Sequence, residues 1–579
     1  MNTRIAVALC AFLACAATAA AADEAAIARR GYDVLKQYCH RCHGVDFKAP
    51  GLNVLDRDVL TANRGEAGPA YVVPGQADDS YLWQRAGLDA DMPPDGAAQP
   101  SDEDRQAIRD WIAAGAPFPQ DRAAEFVATR DVMFAVRDEL RRTGESDRPF
   151  LRFFTLGHLS GNPSVTEDEL RLYRAALSKV VNSLSWQPEI VVPRAIDERN
   201  TVFALDLRDV GWDEGNLWRE ILRAYPYGLN FRTQRDGAMR EAYLEIAKLS
   251  GSDQPAVRVD WFVAQAARPP LYHQLLRLPE TAGELEQQLN VDVERNFLRD
   301  RLARAGFATS GVSAQNRLVE RHAAAHGAYW KSYDFKSDEG QGNLFRFPLG
   351  PEFEGQPFPR HAFRHDGGEL IFHLPNGLQG YLLVDGQDRR IDAGPIEVVS
   401  DSLSTSGTPA IVNGLSCMAC HKHGMLPCRD TVRGGNSLAG EARLKLDRLF
   451  PPQEEMDRLL AADSERFLRA LEAATADILC AGADAAADIR SFPEPVGAIA
   501  RLYLKDIGTV EAACELGLAD PTELQIFIRA NPRLRELGLG PLADGERIKR
   551  AAWESVEGFT SPFQEAAREL ELGTPFRAF

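Results

Sequence analysis

Two short segments of this 579-residue chain carry the same arrangement of reactive side chains, Cys39-His40-Arg41-Cys42-His43 and Cys417-Met418-Ala419-Cys420-His421. Thiols three positions apart lie about one helical turn from each other, and an imidazole follows immediately. Such a turn can form two thioethers to the vinyl groups of a haem and set the histidine under the iron as proximal ligand, the attachment chemistry of haem c. Zinc would call for a further Cys or His pair at short spacing, and beside the second copy His423 is the only extra donor. The pattern predicts two covalently bound haem c groups, one on Cys39, Cys42 and His43, the other on Cys417, Cys420 and His421.

Each iron has a second axial position. Met92 stands in Asp91-Met92-Pro93-Pro94, 49 residues after His43. Two prolines leave that loop few conformers, which suits a thioether aimed at iron. For the second haem, Met456 follows His421 by 35 residues, but it shares an apolar helix face with Leu460, Phe467 and Leu471, so core packing competes with ligation. His322 and His365 are candidates for a distal ligand or for an acid–base group in O–O cleavage. His361, His373 and His423 are weaker ones. His322 and His326, four apart, are expected on one face of a helix spanning Asn316 to Phe335, more as a polar face than as a metal pair.

The redox compartment follows from the N-terminus and the cysteines. Arg4, the apolar run Ile5 to Ala17 and Ala20-Ala21-Ala22 before Asp23 read as an export signal, the run being shorter than the ~20 residues needed to span a bilayer. Nine cysteines are present, and Cys10 and Cys15 leave with the signal. Beyond the haem motifs, Cys428, Cys480 and Cys514 remain, of which one pair is expected to form a disulfide in an oxidising compartment. Lys and Arg total 66 against 84 Asp and Glu, a net charge of −18, which offers no basic field for nucleic acid. No G-x-G-x-x-G and no P-loop occurs.

The elements that must position these groups read as a multidomain α+β chain. Residues 1–22 are the signal peptide and 23–120 an all-α haem domain. There, a helix from Glu24 to Gln37 leads into the first motif, and Ser101 with Asp104 caps a second helix. Residues 121–270 alternate helix and strand as an α/β domain, with Leu151–Leu156 and Thr201–Leu207 as strands and Glu167–Leu184 as a helix. Residues 271–409 combine a helical segment with a hairpin turning at Pro375-Asn376-Gly377. Residues 410–579 form a second, helical haem region.

The layout of residues 24–120 resembles the small class I cytochrome c domains of bacterial periplasmic proteins, including the planctomycete type. The run from Arg258 to His421, with Arg268-Pro269-Pro270-Leu271-Tyr272-His273, Gly327-Ala328-Tyr329-Trp330-Lys331, Leu374-Pro375-Asn376-Gly377 and the Cys417 motif, resembles an uncharacterised family of exported bacterial c-type cytochromes. Those resemblances imply haem binding and electron transfer, with an unidentified redox protein as partner, and no substrate. The expectation is therefore a periplasmic di-haem electron carrier. The alternative is a di-haem peroxidase or oxidase, with the second haem as catalytic centre.

Overall fold

The computed structural model describes residues 23–45, 49, 52–65, 68–119, 125–310, 312–556 and 558–578. The expected export signal lies outside them. The chain folds as two compact units, one holding the described residues of the first 123 positions with Ser491–Pro493, the other the remainder.

The first unit is helical. Residues 23–38 form the expected helix. Asp102–Ala113 forms another, started by Ser101 and Asp104 in a reciprocal capping box that satisfies two otherwise orphaned N–H groups. Their apolar faces meet in one core, with Val34 and Leu35 from the first and Ile108, Trp111 and Ile112 from the second, packed with Leu52, Leu60, Val72 and Trp83.

The second unit mixes helices and sheets. β1 (Leu151–Thr155), β2 (Arg194–Ala195), β3 (Val202–Asp206), β4 (Leu229–Asn230) and β5 (Ala256–Arg258) come first. Four of them form a mixed sheet in the order β2-β3-β1-β5, with β1 antiparallel to β3 and parallel to β5. Met133, Val136 and Leu140 of the helix Thr129–Arg142 and Met239, Tyr243 and Ile246 of Gly237–Ser250 cover it. The expected helix from Glu167 runs to Ser183 and starts at Thr166, which forms a capping box with Glu169.

β6 (Ala303–Phe307), β7 (Arg317–Ala324), β8 (Gly327–Asp334), β9 (Gly367–His373) and β10 (Gln379–Asp385) build an antiparallel sheet in chain order. The Asn376-Gly377 turn joins β9 to β10 as expected. Residues 316–335 differ from expectation: they form the β7–β8 hairpin, not a helix. Gly327, at φ +135°, ends a tight turn at Ala325-His326, and the run Tyr329-Trp330-Lys331-Ser332-Tyr333 is rich in β-favouring aromatics buried on both faces. His322 therefore lies in a strand and His326 in the turn, on no common helix face.

Side chains alternate between the faces of this sheet. One face carries Arg317, Arg321, Trp330, Ser332, Glu369, Ile371 and Tyr381; the other carries Arg304, Glu320, His322, Lys331, Tyr333 and Leu370, as the cross-strand register dictates. The first face meets the 27-residue helix Gln453–Leu479, where Asp463 accepts hydrogen bonds from Arg321 and from Trp330 Nε1. On the second face Leu318 and Tyr333 enter a core with Phe297, Phe363 and Leu446. β11 (Ala393–Gly394) and β12 (Ile411–Val412) form a two-stranded ladder that delivers the chain to the helix Leu415–Cys420, which carries the second motif.

No disulfide joins the seven cysteines of the described residues, so the expected pair among Cys428, Cys480 and Cys514 is not formed. Each occupies a different element. Cys428 lies in the loop after the second motif, Cys480 caps the long helix and Cys514 belongs to the helix Thr509–Leu516.

Candidate haem sites

At the first motif, the helix 23–38 runs out into a tight turn. Cys39 N–H donates to Leu35 O at 3.0 Å, Cys42 N–H to Cys39 O at 3.2 Å and His43 N–H to Cys39 O at 2.9 Å. These bonds hold both thiols and the imidazole of His43 within a single turn. The chain then leaves with His43 at φ −114°, ψ 51°, and Val54 N–H returns to His43 O at 2.9 Å. Burial, with Cys42 beside it, pushes the Cys39 thiol up to about 12.

The Met92 loop is tied down on both sides. Arg85 grips Asp91 through Nε at 2.7 and 2.9 Å to the two carboxylate oxygens, and Met92 N–H donates to Arg85 O at 3.3 Å. Beyond the prolines, Gln99 Nε2 donates to Pro93 O at 2.9 Å. In the same core Trp83 Nε1 is buried with no acceptor among the described residues. A buried donor without a partner is what a core shaped around an absent polar group leaves behind. The donor set of two thiols, one imidazole and one loop-borne thioether fits a covalent haem.

At the second motif, Ser416 Oγ donates to Asp401 Oδ2 at 3.0 Å, and Asp401 also accepts from the N–H groups of Leu403 and Thr405. The loop before the motif is thereby clamped to its helix. Cys417 is buried, Cys420 partly so. His421 Nδ1 sits 3.1 Å from Gly424 O, so the ring donates there and Nε2 is the nitrogen left to meet a metal. Gly424 has φ +93°, and a Cβ on it would fall 2.9 Å from Ser464 Cα on the long helix. Met425 N–H donates to Ser464 Oγ at 3.0 Å, which fixes the acceptor loop. The Tyr381 ring lies 6.0 Å from the His421 ring, and Tyr272 Oη accepts from Tyr381 N–H at 2.9 Å.

On the His421 side, Nε2 faces Glu369 Oε2 at 3.7 Å. Burial of Glu369 would raise its pKa, but hydrogen bonding and charge from His421, hydrogen bonding from Cys417 and the charge of Arg317 outweigh it and hold the group at about 2. Burial and the neighbouring Glu369 carboxylate push the Cys417 thiol well up.

The remaining candidates are distributed as follows. Met456 is buried on the side of the long helix that also presents Leu460, Asp463 and Phe467 inward. His322 lies on the sheet face opposite Glu369, its Nε2 2.8 Å from Glu320 Oε1 and its Nδ1 3.1 Å from Asn296 Nδ2. Arg304 and Tyr333 complete that buried cluster on Glu320. His365 packs edge-on against Tyr333 at 5.1 Å, with Nε2 3.8 Å from Asp388 Oδ1. His373 shares the Glu369 face, but its Nδ1 accepts from Ala328 N–H and its Nε2 meets Asp463 O at 3.2 Å. His361 belongs to the short turn Pro359–His361 and His423 to the loop after the motif. Glu369, Gly424 and Arg85 escaped sequence reasoning. Alternation places Glu369 on one face of its strand, but nothing in the sequence says which face meets His421.

Residues 39–96 match the family model of planctomycete cytochrome C. No curated protein and no solved structure matches the chain. The N-terminal unit contains a cytochrome c-type domain, which implies covalently bound haem c and a haem-based electron-transfer role. Among the described residues no helix is long and apolar enough to cross a membrane.

Proposed function

We propose that this chain is an exported di-haem c-type cytochrome that passes electrons to or from a redox protein. Its first haem is held by Cys39 and Cys42 with His43 and Met92 as axial ligands, its second by Cys417 and Cys420 with His421 as proximal ligand. The observation that carries the second site is the His421 Nδ1–Gly424 O hydrogen bond, because metal-bound histidines are oriented by such a bond on the other ring nitrogen. A haem supplies reversible one-electron chemistry at both places; the protein's part is ligation, orientation and burial, and thioether ligation raises the potential of the first. The acidic surface charge disfavours nucleic acid as a partner. The carrier reading is favoured over a di-haem peroxidase or oxidase because His322 and His365, the candidate acid–base groups, belong to the cluster on the sheet face away from His421.

Mass spectrometry of protein matured in a periplasm with haem-attachment machinery tests this. Two haem additions are expected, with one centre losing its thioether-type absorption in Met92→Ala. A single addition, or an unchanged Met92→Ala spectrum, overturns the corresponding assignment.

A further inference from the structure

We infer that Glu369 is the residue that faces the iron of the second haem and competes for its sixth coordination position. This rests on the proposal that Cys417, Cys420 and His421 hold a haem, and goes further by naming the protein group that meets the metal.

The geometry starts from His421. Its Nδ1 is committed to Gly424 O, so Nε2 is the coordinating nitrogen, and the carboxylate facing that nitrogen is Glu369, Oε2 at 3.7 Å. Metal–imidazole and metal–carboxylate bonds are each about 2.0–2.2 Å, so one ion between two such groups sets their donor atoms roughly 4 Å apart. The pair already stands near that spacing. Glu369 is held there by its backbone. It lies inside β9, which is paired to β8 on one side and β10 on the other, and its N–H donates to Ser332 Oγ at 2.8 Å.

Haem attachment also strips Glu369 of a donor. In the chain without haem, its carboxylate draws on the Cys417 thiol. Addition of that thiol across a vinyl group forms the S–C bond and leaves the hydrogen on the adjoining carbon, so the sulfur no longer donates. His421 Nε2 brings a lone pair to the metal and offers the carboxylate no donor, because the ring proton is on Nδ1. A buried carboxylate that loses its donor requires a new partner. Arg317, the nearby cation, is engaged by Asp334. The iron is the positive centre that remains.

The rival ligands are less well placed. His373 has both ring nitrogens engaged, and His322 sits on the opposite face of the sheet. A carboxylate at the iron stabilises the ferric state, so the second haem is expected to have the lower potential of the two.

The test uses the full haem-loaded protein, wild type against Glu369→Gln, which keeps the shape and removes the charge, and Glu369→Ala, which opens the face. Mass spectrometry counts haems, a redox titration reads both midpoints, and cyanide binding reads the open position. With two haems present, Glu369→Gln is expected to raise the midpoint of one haem and leave the other unmoved, while Glu369→Ala binds cyanide at one haem at least tenfold more tightly. If Glu369→Ala fails to mature, the Glu369→Gln titration decides alone. Two haem additions with both midpoints unchanged in Glu369→Gln overturn the assignment of Glu369 while leaving the di-haem reading intact. A single haem addition in the wild type overturns that reading, and Glu369 with it.

Discussion

The cluster built on Glu320 is a structural feature, and its contribution can be worked out. Arg304, Glu320 and His322 are each at most 1 % exposed. Glu320 Oε2 binds the Arg304 guanidinium, while Oε1 accepts from Tyr333 Oη at 3.1 Å and meets His322 Nε2 at 2.8 Å. Burial alone would raise the Glu320 pKa, yet Arg304 and His322 hold it at about 2, against an ordinary value near 4.5. A depression of that size corresponds to about 3 kcal/mol of folding stability. Because the folded-state value is the lower one, the contribution is fully present above pH 4.5 and is lost as pH falls toward 2. Glu320→Gln keeps the shape and removes the charge, leaving Arg304 buried without its counter-ion, a loss of the ~3–5 kcal/mol typical of a broken buried pair. Hydrogen–deuterium exchange of peptides spanning β7 and β8 measures this as the free energy of local opening. Wild type and variant should differ most near neutral pH and converge between pH 4.5 and about 2. A difference below about 1 kcal/mol near neutrality, or one that persists unchanged to low pH, would refute the electrostatic reasoning.

Two further outcomes follow from the loops that hold His421 and Met92. Gly424→Ala places a Cβ 2.9 Å from Ser464 Cα and imposes a left-handed backbone on alanine, costing at least ~1–2 kcal/mol and displacing the carbonyl that holds His421 Nδ1; haem occupancy at the second motif should drop by mass spectrometry while the first stays filled. Arg85→Ala frees Asp91 and loosens the chain at Met92, so thioether ligation should be lost at a lower denaturant concentration than in the wild type, followed by visible absorption.

Local chemistry was legible in the sequence. The C-x-x-C-H turns need only four or five consecutive residues, the Ser101 cap only three-residue spacing, and the Asn376-Gly377 turn only a residue pair. The long helix showed itself through the inward positions Met456, Leu460, Phe467 and Leu471, which repeat at helical spacing. The hairpin of residues 317–334 misled because β8 is buried on both faces, so the alternation that marks a strand is lost there, and because His322 with His326 mimics a helical pair. What faces His421 was beyond the sequence altogether. Glu369 comes from 52 positions earlier in the chain, and the face it occupies is set by the register of β9 between two neighbours. A one-residue slip would send it to the opposite face, and only tertiary packing forbids that slip. The sequence by itself determined where the two C-x-x-C-H motifs lie; the sheet register determined which carboxylate faces His421.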